Sequence, residues 1–166
     1  MDGIPEVQLP YHHSQIGYPM IAALAFGSIA QLRSLARDVR KHKPRLWMHA
    51  PGLLLFVGVM VAFSRLAVDV DDTVVSVGYA AGLARRRIDL RQIERAETTK
   101  TAWYAGWGIR FTPDGLLYNA WGRKGVRLHL VSGKKLTIGT DEPELLLATI
   151  EAARAQVAES APVAAA

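Results

Sequence analysis

Two long apolar runs, Pro19 to Leu32 and Trp47 to Leu66, separated by a strongly basic stretch, constrain this chain more than any other feature. A long apolar helix needs cover on every side, and two of them flanking a charged turn is the pattern of a helical hairpin in lipid. Tyr18 suits the headgroup level and Pro19 a first helical turn, where its missing N–H costs nothing. The uncharged part of this run is short, so a span of roughly 17 to 25 residues has to reach from about Ile16 to Ala36 with Arg33 snorkelling. The second run starts with Trp47 as an interfacial anchor, carries Pro51 in its first turn and stays apolar up to Arg65. Small residues four apart, Ala23 with Gly27 and Gly58 with Ala62, predict close approach of the two helices. The expectation is a transmembrane hairpin over 16–66; a helical hairpin buried in protein is the alternative.

Arg33, Arg37, Arg40, Lys41, Lys43 and Arg45, set against Asp38, account for the whole formal charge of +5. The rest of the chain is neutral in sum, so the charge points to no nucleic-acid partner. The bias of short basic loops predicts residues 33–45 on the cytoplasmic side and the rest of the chain outside. Arg85, Arg86 and Arg87 pull the other way, which leaves the side of the downstream domain open. The segment 1–15 holds Asp2 and Glu6 but no Lys or Arg, so it lacks the basic start of a secretory signal. With no cysteine in the 166 residues, disulfides, thiolate zinc sites and cysteine nucleophiles are excluded.

From Val68 the period changes to two. Short alternating segments fall at Thr73 to Tyr79, Arg85 to Leu90, Ile93 to Thr98, Gly106 to Thr112, Leu116 to Trp121, Val126 to Val131 and Lys135 to Ile138. Pro113-Asp114-Gly115, Gly122 to Gly125 and Ser132-Gly133 each supply a residue tolerant of positive φ between them. Such spacing predicts an antiparallel meander over 69–158. A helix from Glu144 to about Glu159 closes it, with Asp141 or Glu142 as the N-terminal acceptor and Leu145, Leu146, Thr149, Ile150, Ala153 and Val157 as its buried face. Residues 159–166 read as a disordered tail.

Gly106-Trp107-Gly108-Ile109-Arg110, Tyr118-Asn119 with Gly125-Val126, and Ile138 to Glu144 together resemble the pleckstrin-homology-like domain of small bacterial membrane proteins. The resemblance covers about Asp69 to Ala158; the helix entry departs from the usual two aspartates before proline by carrying Glu142. It implies an α+β architecture: a two-helix membrane hairpin, then a bent, partly open antiparallel β-barrel capped by the C-terminal helix, integral to the bacterial plasma membrane. It also implies a binding module, with no shared catalytic residues to carry over.

The candidate chemistry is sparse. His12, His13, His42, His49 and His129 show no ligand spacing on one element, so no metal or other cofactor is expected. Gly122 to Gly125 lacks the Lys-Ser/Thr pair of a phosphate loop, and no serine has a paired base. Arg85, Arg86 and Arg87 are candidates for anionic lipid headgroups, with a solvated strand as the plainer reading. Trp103 and Tyr104 are candidates for a partner or interface contact, and Trp107 for the core. The functional expectation is a non-catalytic membrane protein that presents a module for a peptide, a neighbouring membrane protein or lipid. A structural accessory subunit of a larger complex is the alternative, and a membrane enzyme comes third.

Overall fold

The computed structural model describes residues 9–40, 46–79, 82, 84–102 and 106–160. Strand β1 (Tyr11–Ile16) leads directly into helix α1 (Tyr18–Arg40), which is followed by helix α2 (Leu46–Phe63) and strand β2 (Arg65–Val70). β1 and β2 pair antiparallel from Tyr11↔Val70 to Ile16↔Arg65, and Gly17 N–H donates to Ser64 O at 3.0 Å. The helical hairpin is thus an insertion at the end of a two-strand ribbon. Tyr11 to Gln15, expected ahead of the hairpin, are sheet residues, and Leu66, expected to end the second apolar run, is core.

Strand β3 (Val74–Tyr79) and strand β4 (Arg86–Asp89) complete a four-stranded sheet in the order β1-β2-β3-β4. Its pairings put Leu66 opposite Tyr79, Val68 opposite Val77, and Val70 opposite Val75, with Val75 opposite Ile88, so one face is a continuous apolar layer. A 3-10 turn (Leu90–Gln92), capped by the Asp89 carboxylate accepting from Arg91 N–H at 2.8 Å, leads to the second sheet. That sheet holds β5 (Ile93–Lys100), β6 (Gly108–Thr112), β7 (Gly115–Asn119), β8 (Lys124–Leu130) and β9 (Lys135–Gly139), in the order β5-β8-β9-β7-β6. Tyr118, Val126, Leu128, Leu136 and Ile138 face the first layer and form one core with it.

Helix α3 (Pro143–Ser160) buries Leu146, Thr149, Ile150, Ala153 and Val157 on this core, as its period predicts; Leu145 is half-buried. In the turn just ahead of it, Thr140 Oγ1 accepts from Glu142 N–H at 3.1 Å. The carboxylates there are engaged with His13, whose Nε2 lies 2.7 Å from Asp141 and whose Nδ1 lies 3.6 Å from Glu142.

Several expectations are corrected. The hairpin forms, but no helix among the described residues is long and apolar enough to cross a membrane. α1 has 23 residues, yet its last two turns carry Arg33, Arg37, Asp38 and Arg40. α2 has 18 residues, about 27 Å at 1.5 Å per residue, against a hydrocarbon core of roughly 30 Å. The transmembrane hairpin, its integral placement in a bacterial plasma membrane and the cytoplasmic side of loop 33–45 fall together. Gly27 does admit the other helix, since a Cβ there would lie 3.0 Å from the Phe56 ring; Gly58 has nothing within 4 Å.

The antiparallel meander is corrected as well. β9 inserts between β7 and β8, pairing antiparallel with β8 and parallel with β7, so Ala120 to Arg123 step over a strand and make no hairpin. The absence of a side chain at Gly125 permits this convergence, because a Cβ there would lie 2.4 Å from Ile138 O. Asn119 ties the crossing, its Nδ2 donating to Gly106 O at 3.0 Å and Gly122 O at 3.2 Å. The architecture is α+β, two sheets with a C-terminal helix. It differs from the partly open antiparallel barrel implied by the resemblance.

Candidate functional site

The first sheet carries a polar row on its outer face: His12, Asp69, Ser76 and Arg87 lie side by side in register. Arg85 reaches the same face and pairs with Asp69 at 2.5 Å, while Ser76 Oγ donates to the same carboxylate oxygen at 3.3 Å and His12 takes the other oxygen. The serine hydroxyl thus faces a carboxylate already saturated by an arginine and a histidine, an arrangement without a base free to activate it. Arg86 lies in register with Val77, on the opposite side of the strand, and Arg87 is exposed. The three arginines therefore do not share one face; alternation divides them and Asp69 neutralises Arg85.

Of the other residues singled out from the sequence, Tyr18 opens α1 and is exposed, and Arg33, Arg37 and Arg40 are exposed on its last turns. Trp47 lies in α2, but its side chain is outside the described part, as are Lys41, Lys43, Arg45, Trp103 and Tyr104. Trp107, expected in the core, is half-exposed. His12 and His13 point to opposite sides of β1, as alternation requires. His129 bonds Glu97 at 2.9 Å and Arg95 lies 3.4 Å from the same carboxylate, so hydrogen bonding from His129, with Arg95 and Arg127 nearby, holds the Glu97 carboxyl below its usual range. Among the described residues no three His, Asp or Glu groups converge as a metal site.

The surface of greatest interest is the β6 end of the second sheet. The two edges of that sheet are treated differently. α3 packs against β5, and Arg154 Nη2 donates to Glu94 O at 2.9 Å, which engages one carbonyl near the start of that strand. β6 is the other edge and, among the described residues, pairs with β7 alone. Ile109 packs onto the core, but two residues further along the same side Phe111 has run past it and is 91% exposed. Trp107 at 41% and Trp121 at 46% exposure stand near the other end of the strand, and with Arg110 and Arg123 they line a depression of about 690 Å³. Arg110 Nε donates to Trp107 O at 3.1 Å, and Arg123 Nε to Thr101 O at 3.3 Å. A second cleft, of about 310 Å³, lies on the other flank of Arg110, between Lys100 to Ala102 and the Pro113-Asp114 turn, with Arg127 and Thr137 in its wall.

None of Arg110, Phe111, Trp121 or Arg127 was distinguishable as a site residue from sequence. An aromatic in an alternating strand reads as core, and the available signal, Phe111 lying two residues before the Pro113-Asp114-Gly115 turn, says only that the strand ends there. Comparison with protein-family models, with curated proteins and with solved structures finds no match to this chain. The resemblance to bacterial pleckstrin-homology-like membrane proteins is therefore without support from a family match, and the absence of a spanning helix contradicts its membrane half.

Proposed function

We propose that this chain is a non-catalytic interaction module that takes an extended segment of a partner protein along the free edge of β6. The observation that carries the reading is the β6 edge, which among the described residues pairs with β7 alone and is flanked by Phe111, Trp107 and Trp121, whereas β5 at the other edge has α3 packed against it and Arg154 bonded to Glu94 O. An uncovered strand edge is a template for one more strand, main-chain hydrogen bonds supplying affinity and side-chain pockets specificity. Large aromatics beside arginines are the residue types that dominate binding energy at protein interfaces. The engaged state of Ser76, His12 and His129 also supports a binding role over a catalytic one.

A peptide library displayed against the full chain tests this. Enrichment of extended, alternating sequences whose binding is lost in both Phe111→Asp and Trp121→Ala is expected; no enrichment, or binders indifferent to both changes, would sink the reading. The accessory-subunit reading keeps one observation in its favour, the exposed Phe26, Leu54, Leu55 and Val61 on the hairpin, an apolar surface that a protein neighbour would cover.

A further inference from the structure

The smaller cleft beside β6 has a chemistry that strand addition does not use. Lys100, Arg110 and Arg127 line it, and Asp114 is its one carboxylate among the described lining residues. Phe111, Pro113 and Leu117 supply an apolar wall, and the buried Thr137 a hydroxyl. A volume of about 310 Å³ falls at the lower end of the range for small-ligand pockets, roughly 300 to 1,000 Å³.

Arg127 is the informative residue. Register places it between Glu97 of β5 and Thr137 of β9, so its stem crosses the middle of the sheet, and its side chain is only 18% exposed. Its Nη2 donates to Asp114 Oδ2 at 3.2 Å, while its Nε is buried with no hydrogen-bond partner among the described residues. Nε and Nη2 form one edge of the guanidinium fork, the edge that a two-oxygen anion engages with parallel bonds. Asp114 meets that edge at a single point, from an exposed turn. The nearby Glu97 carboxylate is occupied by His129 and Arg95.

We infer that this cleft is a binding site for a phosphomonoester carried on an apolar or aromatic group, the phosphoryl oxygens displacing Asp114 from Arg127 and taking both Nε and Nη2. One carboxylate would be satisfied by one arginine. Three cations lining one cleft match a group that bears close to two negative charges at neutral pH and three strong acceptor oxygens. The site shares Arg110 and Phe111 with the β6 surface but does not depend on strand addition, and its test needs no partner protein.

The full chain is titrated with phenyl phosphate, inorganic phosphate and phenol while the arginine Nε–H signals are followed by NMR. Phenyl phosphate is expected to move the Arg127 signal saturably in the millimolar range or below, inorganic phosphate more weakly, and phenol not at all. Arg127→Gln should weaken phenyl phosphate about tenfold or more, as loss of a charge-assisted pair does. Lys100→Gln, at an exposed position, should weaken it about threefold and guards against a folding defect in the first variant. Asp114→Asn should tighten binding, because it removes the competing carboxylate, a gain that a merely structural Arg127–Asp114 pair would not produce. No saturable shift, a shift reproduced by phenol, or weaker binding in Asp114→Asn overturns the site.

Discussion

The helical hairpin and the β core are built from the same leucines, valines and phenylalanines, yet the core hides them and the hairpin displays them. Leu128 in β8 is 0% exposed and Leu54 in α2 is 72% exposed. In the sheets, alternation sends every second side chain inward, and two facing layers with α3 enclose that row completely. In α2 the apolar residues run round the whole helix, and α1 covers one side of it. The hairpin is tied to the core at its base, by the Gly17–Ser64 hydrogen bond and by Phe63 packing 5.0 Å from Tyr79. The same composition therefore stabilises the fold in one region and presents surface in the other.

The matched pair Leu128→Ala and Leu54→Ala tests this most directly. Leu128→Ala should lose about 2–5 kcal/mol, the cost of a cavity in a closed core, while Leu54→Ala should stay within about 0.5 kcal/mol. Denaturant unfolding of both decides it, and equal losses would mean the hairpin has a covered face of its own.

Glycines sharpen the comparison at a smaller scale. Gly115 has φ +100°, and a Cβ there would lie 2.2 Å from Lys135 O, so Gly115→Ala should cost about 1–3 kcal/mol through strain and overpacking. Gly58→Ala meets open space inside a helix and should gain up to about 1 kcal/mol. A thermal shift of the same sign for both would contradict the difference between a closed and an open region.

The smallest effect lies in the core region, at Tyr11, the end of β1 away from the hairpin. Its hydroxyl is buried without a partner among the described residues, and burial first, then Glu142 and Asp141, pushes its pKa up to about 12. A group held protonated in the fold contributes stability that is complete below the unfolded value near 10 and is lost as pH rises through about 12. Stability should therefore fall across that window, and Tyr11→Phe should remove Tyr11's share of the fall. The variant should also be neutral or more stable by up to about 1 kcal/mol at pH 7, since it deletes an unsatisfied buried group. An unchanged alkaline slope in Tyr11→Phe would assign the loss elsewhere.

Local structure was largely legible in the chain. Alternation located the strands from β3 onward but not β1 and β2, the Pro-Asp-Gly and Ser-Gly turns separated them, and the face of α3 followed from its period. The cover around the apolar runs was not, because hydrophobicity states that a helix needs burial without stating how long the helix is or what lies against it. The site was illegible for a related reason. Phe111 and Ile109 share a strand and a side, and only the distance each stands from the core decides that one is buried and the other exposed.

By itself, then, the sequence determined the two apolar helices, the strands from β3 onward with their alternation, and the buried face of α3, since these depend on neighbours a few residues away. Tertiary structure alone decided that β1 and β2, on either side of the hairpin, pair with each other, that β9 enters between β7 and β8, and that Asp69 neutralises Arg85. It also decided that β6 is left as a bare edge beside a cationic cleft. Strand partners are chosen by which arrangement closes the shared core, and that choice joins residues tens of positions apart, beyond the reach of any local period.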